Sequence, residues 1–448
     1  MKYVPKALEV FLQTGTRFPR RLIWAMGAVK MAAARANVEL GLLDPKVGAA
    51  IERAAEELMT GSLDSSIVVD VFQTGSGTGL NMNVNEVIAQ RASELSGLKV
   101  HSNDHVNMSQ SSNDVVPTAI RVALAYELKG SIMPALERAA RELEALSRRT
   151  EEVIKPGRTH LRDALPVTMG QEFGAYADAL SRDSELIQAV YRLLLELPLG
   201  GTAVGTGLNS HPRYAEVAIR NLSQLTGLEV VPAKSKFRAM RLLSDVLAAS
   251  SALKVVALDL WRLSQDLRLM YSGPFTGISE VDIPQEIAGS SMMPGKVNPV
   301  TIEAVMQASS HVVGLESSMT MAALLGEFEL SMGVTLAGYA TLSQATLVAE
   351  SLNKLSEQVI PNVRPLKERA RKMAESSQAL ITVVAPIVGY DRAAEISKKL
   401  YEGRSIREAL AELGLSQEEI DRVLNLESLV RPGIPAKDIK ERGERQQG

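Results

Sequence analysis

PTAIRVALAYELKGSIMPALERAARELEALSRRTEEVI, residues 117–154, decides the fold. Its Ala, Leu, Glu and Arg content and helical apolar spacing predict an almost unbroken helix, about 50 Å long at 1.5 Å per residue, with Gly130 and Pro134 as kink points. The same texture recurs on either side. A second helix is predicted from Thr168, where Thr168 and Gln171 form a capping box, to about Leu195. Others are expected from about Ala239 to Tyr271, Pro299 to about Leu325, and Val334 to Ile360. Helices of this length joined by Gly- and Pro-bearing loops imply an all-α chain around a long central five-helix bundle, with much helix surface left for other subunits.

The flanks differ from this centre. Residues 18–59 carry helical periodicity broken by GLLD (41–44), and IVVDVF (67–72) reads as a short strand or extended segment. After Pro361 and Pro365 shorter helices are expected, with turns at GYD (389–391), EGRS (402–405) and RPGIP (431–435) and a fraying polar tail, KDIKERGERQQG (437–448). The expected division is an N-terminal domain over 1–112, a central helical bundle over 113–361 and a small helical domain over 362–448.

Composition removes several function classes. With 49 basic and 52 acidic residues the net charge is -3, which gives no electrostatic case for nucleic acid or an anionic membrane. The chain has no cysteine, so disulfides, thiolate metal sites and thiol nucleophiles are excluded. The most apolar stretch, DVLAASSALKVVALDLW (245–261), is interrupted by Lys254 and Asp259, and the N-terminus has no apolar run of signal-peptide length. A cytoplasmic location is expected.

The polar chemistry is concentrated in loops between apolar helices. GSSMMPGKVNP (289–299) places adjacent serines, a Pro-Gly turn, Lys296 and the Asn298-Pro299 start of a helix in one loop. A helix N-terminus beside a lysine suits a carboxylate whose negative charge grows, with a serine near enough to move a proton. QTGSGTGLNMNVNE (73–86) offers Ser76 and Thr78 among glycines; its G-x-G-x-G spacing and the absence of βαβ texture argue against a dinucleotide site. HSNDHVNMSQSSND (101–114) sets Ser111, Ser112 and Asn113 at the start of the long helix, while His101 and His105 have metal-pair spacing, a weaker reading than partly buried loop polars. GRTHLRDALPVTMGQE (157–172) holds His160, one of five histidines, in a polar loop before the capped helix. GGTAVGTGLN (200–209) is too glycine-rich for a helix and is expected to pack near the same site without a side-chain role. Glu303, one turn into the helix after Pro299, is placed to orient an imidazole.

Taken together, TGSGT, SQSSND, GRTHL, GGTAVGTG and GSSMMPGKVNP, in this order, resemble the fumarase/aspartase superfamily and within it the class II fumarases, over about Phe18 to Pro432. Gly295, and Ser76 within TGSGT rather than GAGT, point to the fumarases over the aspartases. The resemblance implies Ser290 as the proton-abstracting base, His160 as partner acid/base and Glu303 behind it. It implies Ser76, Thr78, Ser111, Ser112, Asn113, Thr159, Ser291, Lys296 and Asn298 as substrate-binding positions, and His101, Asn103 and Asp104 as a secondary dicarboxylate site. It implies reversible hydration of fumarate to L-malate with no metal or organic cofactor, in a homotetramer whose helices form a twenty-helix core and whose active sites are shared between subunits. Aspartate ammonia-lyase activity and a non-catalytic helical scaffold are the rival readings. Gly79 and Leu80 after TGSGT, Ser102 in place of the proline of HPND, and Met292 in place of isoleucine depart from the pattern; the first two are expected to bear on anion recognition. Most of the family's N-terminal arm is absent, so N-terminal subunit contacts are expected to differ.

Overall fold

The structure, a computed structural model describing residues 2–284 and 289–434, is predominantly helical, with only short paired strands among the described residues. The tail 437–448 lies outside the described residues. The long helices run Met133–Arg149, Met169–Leu193, Ser244–Tyr271, Val300–Leu324 and Val334–Lys354. The longest has 28 residues and so spans about 42 Å. Two compact units draw on segments of these helices. Taking described residues only, the first comprises Met1–Glu137, Ser181–Trp261 and Val305–Asn353; the second comprises Arg138–Leu180, Arg262–Ala304 and Lys354–Gly448.

The first unit is organised around the helix Arg20–Glu39, which packs on the helices Pro45–Thr60, Ser112–Glu127 and Tyr214–Thr226. Alanines and one glycine let its neighbours approach, and Leu22, Met26, Val29, Ile51, Leu58, Ile120 and Leu124 are fully buried between them. Asp44 caps the helix Pro45–Thr60 by accepting the Lys46 and Val47 N–H groups, and Pro45 takes the first position, where its missing N–H costs nothing. A bidentate ion pair, Arg121 to Asp245 at 2.8 and 2.9 Å, is sealed inside this unit.

The helix starting at Ser112 is interrupted where the sequence places its kink points. Residues Leu128–Ile132 form a π turn, which accommodates Gly130 and the missing N–H of Pro134 without ending the helix. It stops at Arg149, short of Ile154, because Ile154–Thr159 is a strand paired antiparallel to Arg162–Thr168. This hairpin is the main element that helical periodicity does not anticipate. The capping box that follows it is present: Gln171 Oε1 accepts the Thr168 N–H at 2.9 Å and Thr168 Oγ1 accepts the Gln171 N–H at 3.1 Å. The helix expected from Ala239 is split, with a short helix Lys236–Arg241 before Ser244–Tyr271. IVVDVF contributes no sheet strand; Asp70 within it instead binds Thr14 through both its N–H and its hydroxyl. In the second unit the C-terminal helices close a small core of Leu380, Val384, Ile396, Leu410, Ile420 and Val423.

Candidate active site

In the first unit, TGSGT leads into the helix Thr78–Ser96 and SQSS leads into the helix Ser112–Glu127. The two N-termini meet through hydroxyls. Ser76 Oγ lies 2.9 Å from Thr78 Oγ1, which lies 2.8 Å from Ser112 Oγ. Three linked hydroxyls at two helix starts, with two protons engaged between them and the third free to turn outward, form a surface suited to a carboxylate. Ser111 caps the second helix, accepting the Asn113 N–H at 3.2 Å, and Asn113 donates its amide to the Ala203 carbonyl at 2.9 Å. The glycine-rich 200–209 segment therefore does pack against these residues. Gly79 and Leu80 point the other way: Leu80 is fully buried, its N–H goes to Gln73 Oε1 at 2.8 Å, and a Cβ at position 79 would meet Gln73 and Phe11. These two departures from the family pattern belong to the packing behind the loop.

Behind the hydroxyls is a polar layer that sequence reasoning missed. Lys30 is wholly buried and donates to Asn107 Oδ1 and Gln110 Oε1, both at 3.0 Å. Asn107 Oδ1 also accepts the amides of Asn81 and Asn85, each at 3.1 Å. Burial pulls the Lys30 ammonium down to about 7, with the charge of Asp114 opposing. Asp114 is also wholly buried; burial pushes it up to about 6, while the Ser111, Thr202 and Gly200 amides and Lys30 pull it down. Tyr214 is buried nearby with its hydroxyl unpaired, and burial followed by the Asp114 charge raises it well above the usual tyrosine value.

In the second unit, GSSMMPGKVNP folds as a closed loop. Gly289 N–H donates to the Lys296 carbonyl at 2.9 Å, and the Asn298 amide donates to the Gly289 carbonyl. Only glycine fits at 289, since a Cβ there would sit 2.3 Å from Asn298 N. Pro294-Gly295 makes the turn, with the Lys296 N–H on the Met293 carbonyl at 3.2 Å and Gly295 at φ 77, the left-handed value a type II turn needs. Asn298 thus staples the loop through its Nδ2, and the helix itself begins at Val300. Ser290 Oγ accepts two backbone N–H groups, from Met292 at 3.2 Å and Met293 at 3.0 Å. Ser291, Met292 and Lys296 project outward and are exposed. Glu303 faces Arg268, 3.9 Å away, and makes no hydrogen bond with His160 within the chain.

His160 sits at the tip of the hairpin rather than in a loop beside the capped helix. Thr159 pairs with Arg162, and the two residues between them, His160 and Leu161, both have positive φ, 55 and 57. That is the backbone of a type I′ turn, which ordinarily selects Asn-Gly. A side chain in the left-handed region costs roughly 1–2 kcal/mol, and here two such residues stand together, Leu161 being 69% exposed. Turn chemistry does not account for them. The hairpin is anchored at its base by buried charge: Glu280, fully buried, binds Arg158 at 2.7 Å and lies 3.2 Å from Lys155, which also binds Glu172 at 2.8 Å.

His101 caps the π turn Ser102–Val106, which contains Asn103 and Asp104, and all three are exposed. The Nδ1 atoms of His101 and His105 accept backbone N–H groups, from Asp104 at 3.1 Å and His101 at 3.0 Å. Both rings therefore serve the turn, and among the described residues no set of three His, Asp or Glu side chains is placed to hold a metal.

Comparison with known proteins gives the family. Residues 3–314 match the lyase family and residues 380–431 the fumarase C C-terminus family. A class II fumarate hydratase of Saccharolobus solfataricus is 54% identical over 98% of this chain and 100% of its own length. One from Xylella fastidiosa is 40% identical over 96% of the chain and 91% of its own. The chain belongs to the class II fumarases. The crystal structure of the class II fumarase of Schistosoma mansoni superposes with a TM-score of 0.91 at 33% identity, covering 96% of this chain and 95% of that one.

Proposed function

We propose that the chain is a hydro-lyase catalysing the reversible hydration of fumarate to L-malate. The observation that carries this reading beyond kinship is Ser290, an alcohol whose oxygen receives two backbone N–H groups on a loop shared with Lys296. Two donors aimed at one oxygen favour its anionic form, so the serine is disposed to act as a base.

In the dehydration direction the proton to be removed is adjacent to a carboxylate. It becomes removable when that carboxylate holds the resulting charge as a dianionic aci-form. Lys296 supplies fixed positive charge for this, with Asn298 shaping the loop. Ser290 takes the proton. His160 handles the departing hydroxyl and the water, and Glu303 orients the imidazole from another chain. Ser76, Thr78, Ser112 and Asn113 hold the second carboxylate, with Ser111 capping that turn and Thr159 and Ser291 at its edge. His101, Asn103 and Asp104 form a second dicarboxylate site. We further propose a cytoplasmic homotetramer in which the long helices pack as one core and each site draws on several chains, with the three-part division at residues 112 and 362 separating core from flanks. Among the described residues no helix is long and apolar enough to cross a membrane.

The test is turnover. Purified protein given fumarate, L-malate or aspartate is followed by the ultraviolet absorbance of fumarate, and malate should be dehydrated in preference to aspartate. Ser290→Ala should lower kcat by about 10²–10⁴, the range for a general base. A loss within about threefold would remove Ser290 from that role, and a higher specificity constant for aspartate would make the enzyme an ammonia-lyase.

A further inference from the structure

We infer that Asp114 is a positioning residue for the substrate's carboxylate, an inference that rests on the reaction proposed above and extends it to a side chain that touches no substrate. As the third residue of a capped helix, Asp114 has one conventional duty, and Oδ1 performs it by accepting the Ser111 N–H at 2.9 Å. Oδ2 faces away from the helix. It accepts the Gly200 N–H at 2.9 Å and the Thr202 N–H at 3.0 Å, from a segment 86 and 88 residues further along the chain.

That segment folds on itself through the Gly201, Gly205 and Gly207 N–H groups and packs on Ala215, Met240 and Phe237; its hydrogen bonds to the start of the Ser112–Glu127 helix are the ones that bear on the site. It has no regular secondary structure, and both Gly200 (φ 84) and Thr202 (φ 56) are left-handed, so their amides turn inward together onto the carboxylate. The next residue returns the contact, its carbonyl accepting the Asn113 amide at 2.9 Å. Three hydrogen bonds thus weld residues 111–114 to residues 200–203, two of them on one buried carboxylate. Asn113 keeps its amide direction only while the Ala203 carbonyl stays in place. Ser112 belongs to the same turn and completes the hydroxyl line to Thr78. The charged or titratable groups coupled to Asp114 are Lys30, from the Arg20–Glu39 helix, and Tyr214, from the Tyr214–Thr226 helix; neither hydrogen-bonds to it. The carboxylate is held by backbone amides alone.

Asp114→Asn keeps size and shape but has one acceptor oxygen for two directions. Whichever way the amide turns, an NH₂ faces either the Ser111 N–H or the pair from Gly200 and Thr202. If Asn113 and Ser112 bind the carboxylate equally in ground and transition states, their misplacement raises KM and leaves kcat largely intact. A merely structural role predicts the reverse, a smaller active fraction with unchanged KM.

The experiment compares wild type and Asp114→Asn for KM and kcat with fumarate, and for calorimetric affinity with succinate, a dicarboxylate that cannot react. The expected result is KM and the succinate dissociation constant both raised about tenfold or more, with kcat within about threefold. Unchanged KM and succinate affinity would overturn the inference, as would a fall in kcat alone. Absence of fumarate turnover by wild type would instead refute the proposed reaction, and the succinate comparison would still test Asp114. Should Asp114→Asn fail to fold, hydrogen exchange on wild type decides. Backbone amides of 200–202 should be protected and should slow further with succinate; exchange at free-loop rates would refute the weld.

Discussion

Glu280→Gln tests whether the buried charges under the hairpin hold His160 in place. Glu280 is fully buried and its two oxygens meet two cations, Arg158 at 2.7 Å and Lys155 at 3.2 Å. Glutamine keeps one oxygen for Arg158, which loses the attraction of opposite charges and keeps only a bond assisted by the guanidinium charge, a loss of about 1 kcal/mol. On the other side it turns an NH₂ toward Lys155. That ammonium keeps Glu172 but now has a donor against it in a dry site, worth about another 2 kcal/mol. The sum, about 3 kcal/mol, is at the low end for breaking a buried pair by removing one partner. Because both cations lie on the strand Ile154–Thr159, the loss falls on that hairpin first. Hydrogen exchange of its amides should accelerate about 100-fold, since each 1.4 kcal/mol is tenfold. A hairpin protected to within about threefold of wild type would show that the cluster does not hold it. Activity is the second reading: a tip carrying two residues at positive φ has no local preference for its own shape, so kcat should fall with the protection.

Two further outcomes follow from other residues. Lys30 has a folded pKa of about 7, below its unfolded value, so above that pH the unfolded chain holds a proton that the folded chain has lost, and stability rises with pH. Relative to Lys30→Met, wild type should gain about 2 kcal/mol between pH 7 and 9 in urea unfolding, from 1.36 kcal/mol per pH unit less the incomplete ends; a pH-independent difference would mean that Lys30 titrates normally. For the shared site, inactive His160→Asn and Ser290→Ala chains, unfolded together and refolded as an equal mixture, should regain activity, with both intact residues in about a quarter of sites if those residues come from different chains. Mixed tetramers, confirmed by native mass spectrometry, with no activity would place both residues in one chain or reject their roles.

What was legible in the sequence follows from which forces act locally. The long helices declare themselves by composition and spacing, and the capping box at Thr168 and Gln171 fixes one start to the residue because capping is a contact between near neighbours. The hairpin escapes because its signal is normally the turn, and His-Leu is not a turn sequence. Asn298 has a use that Asn before Pro does not announce: its Nδ2 closes the loop on the Gly289 carbonyl, a contact between residues too far apart for capping rules to show. The buried layer of Lys30, Asn81, Asn85, Asn107 and Asp114 could not be read at all. Lysine at 30 looks like the solvated face of a helix until the elements that bury it are in place. The sequence does carry one signal of it: Asn81, Asn83 and Asn85 alternate within one helix turn and Asn107 follows, more amides than surface chemistry asks for.

The two halves of the chemistry are held by different means, and this bears on what each tolerates. The hydroxyls proposed to bind carboxylate stand at two helix ends whose backs are fixed by buried charges and amides, so their geometry depends on residues set behind them. Among the described residues, the hydrogen bonds that fix Ser290 come from its own loop: two amides from the next three residues, one turn and one asparagine bond. At the proposed anion site, by contrast, shifting any one of its segments breaks bonds in a buried layer where nothing replaces them. Function is therefore most sensitive to substitution in opposite places on the two sides, within the loop for proton transfer and behind the surface for binding.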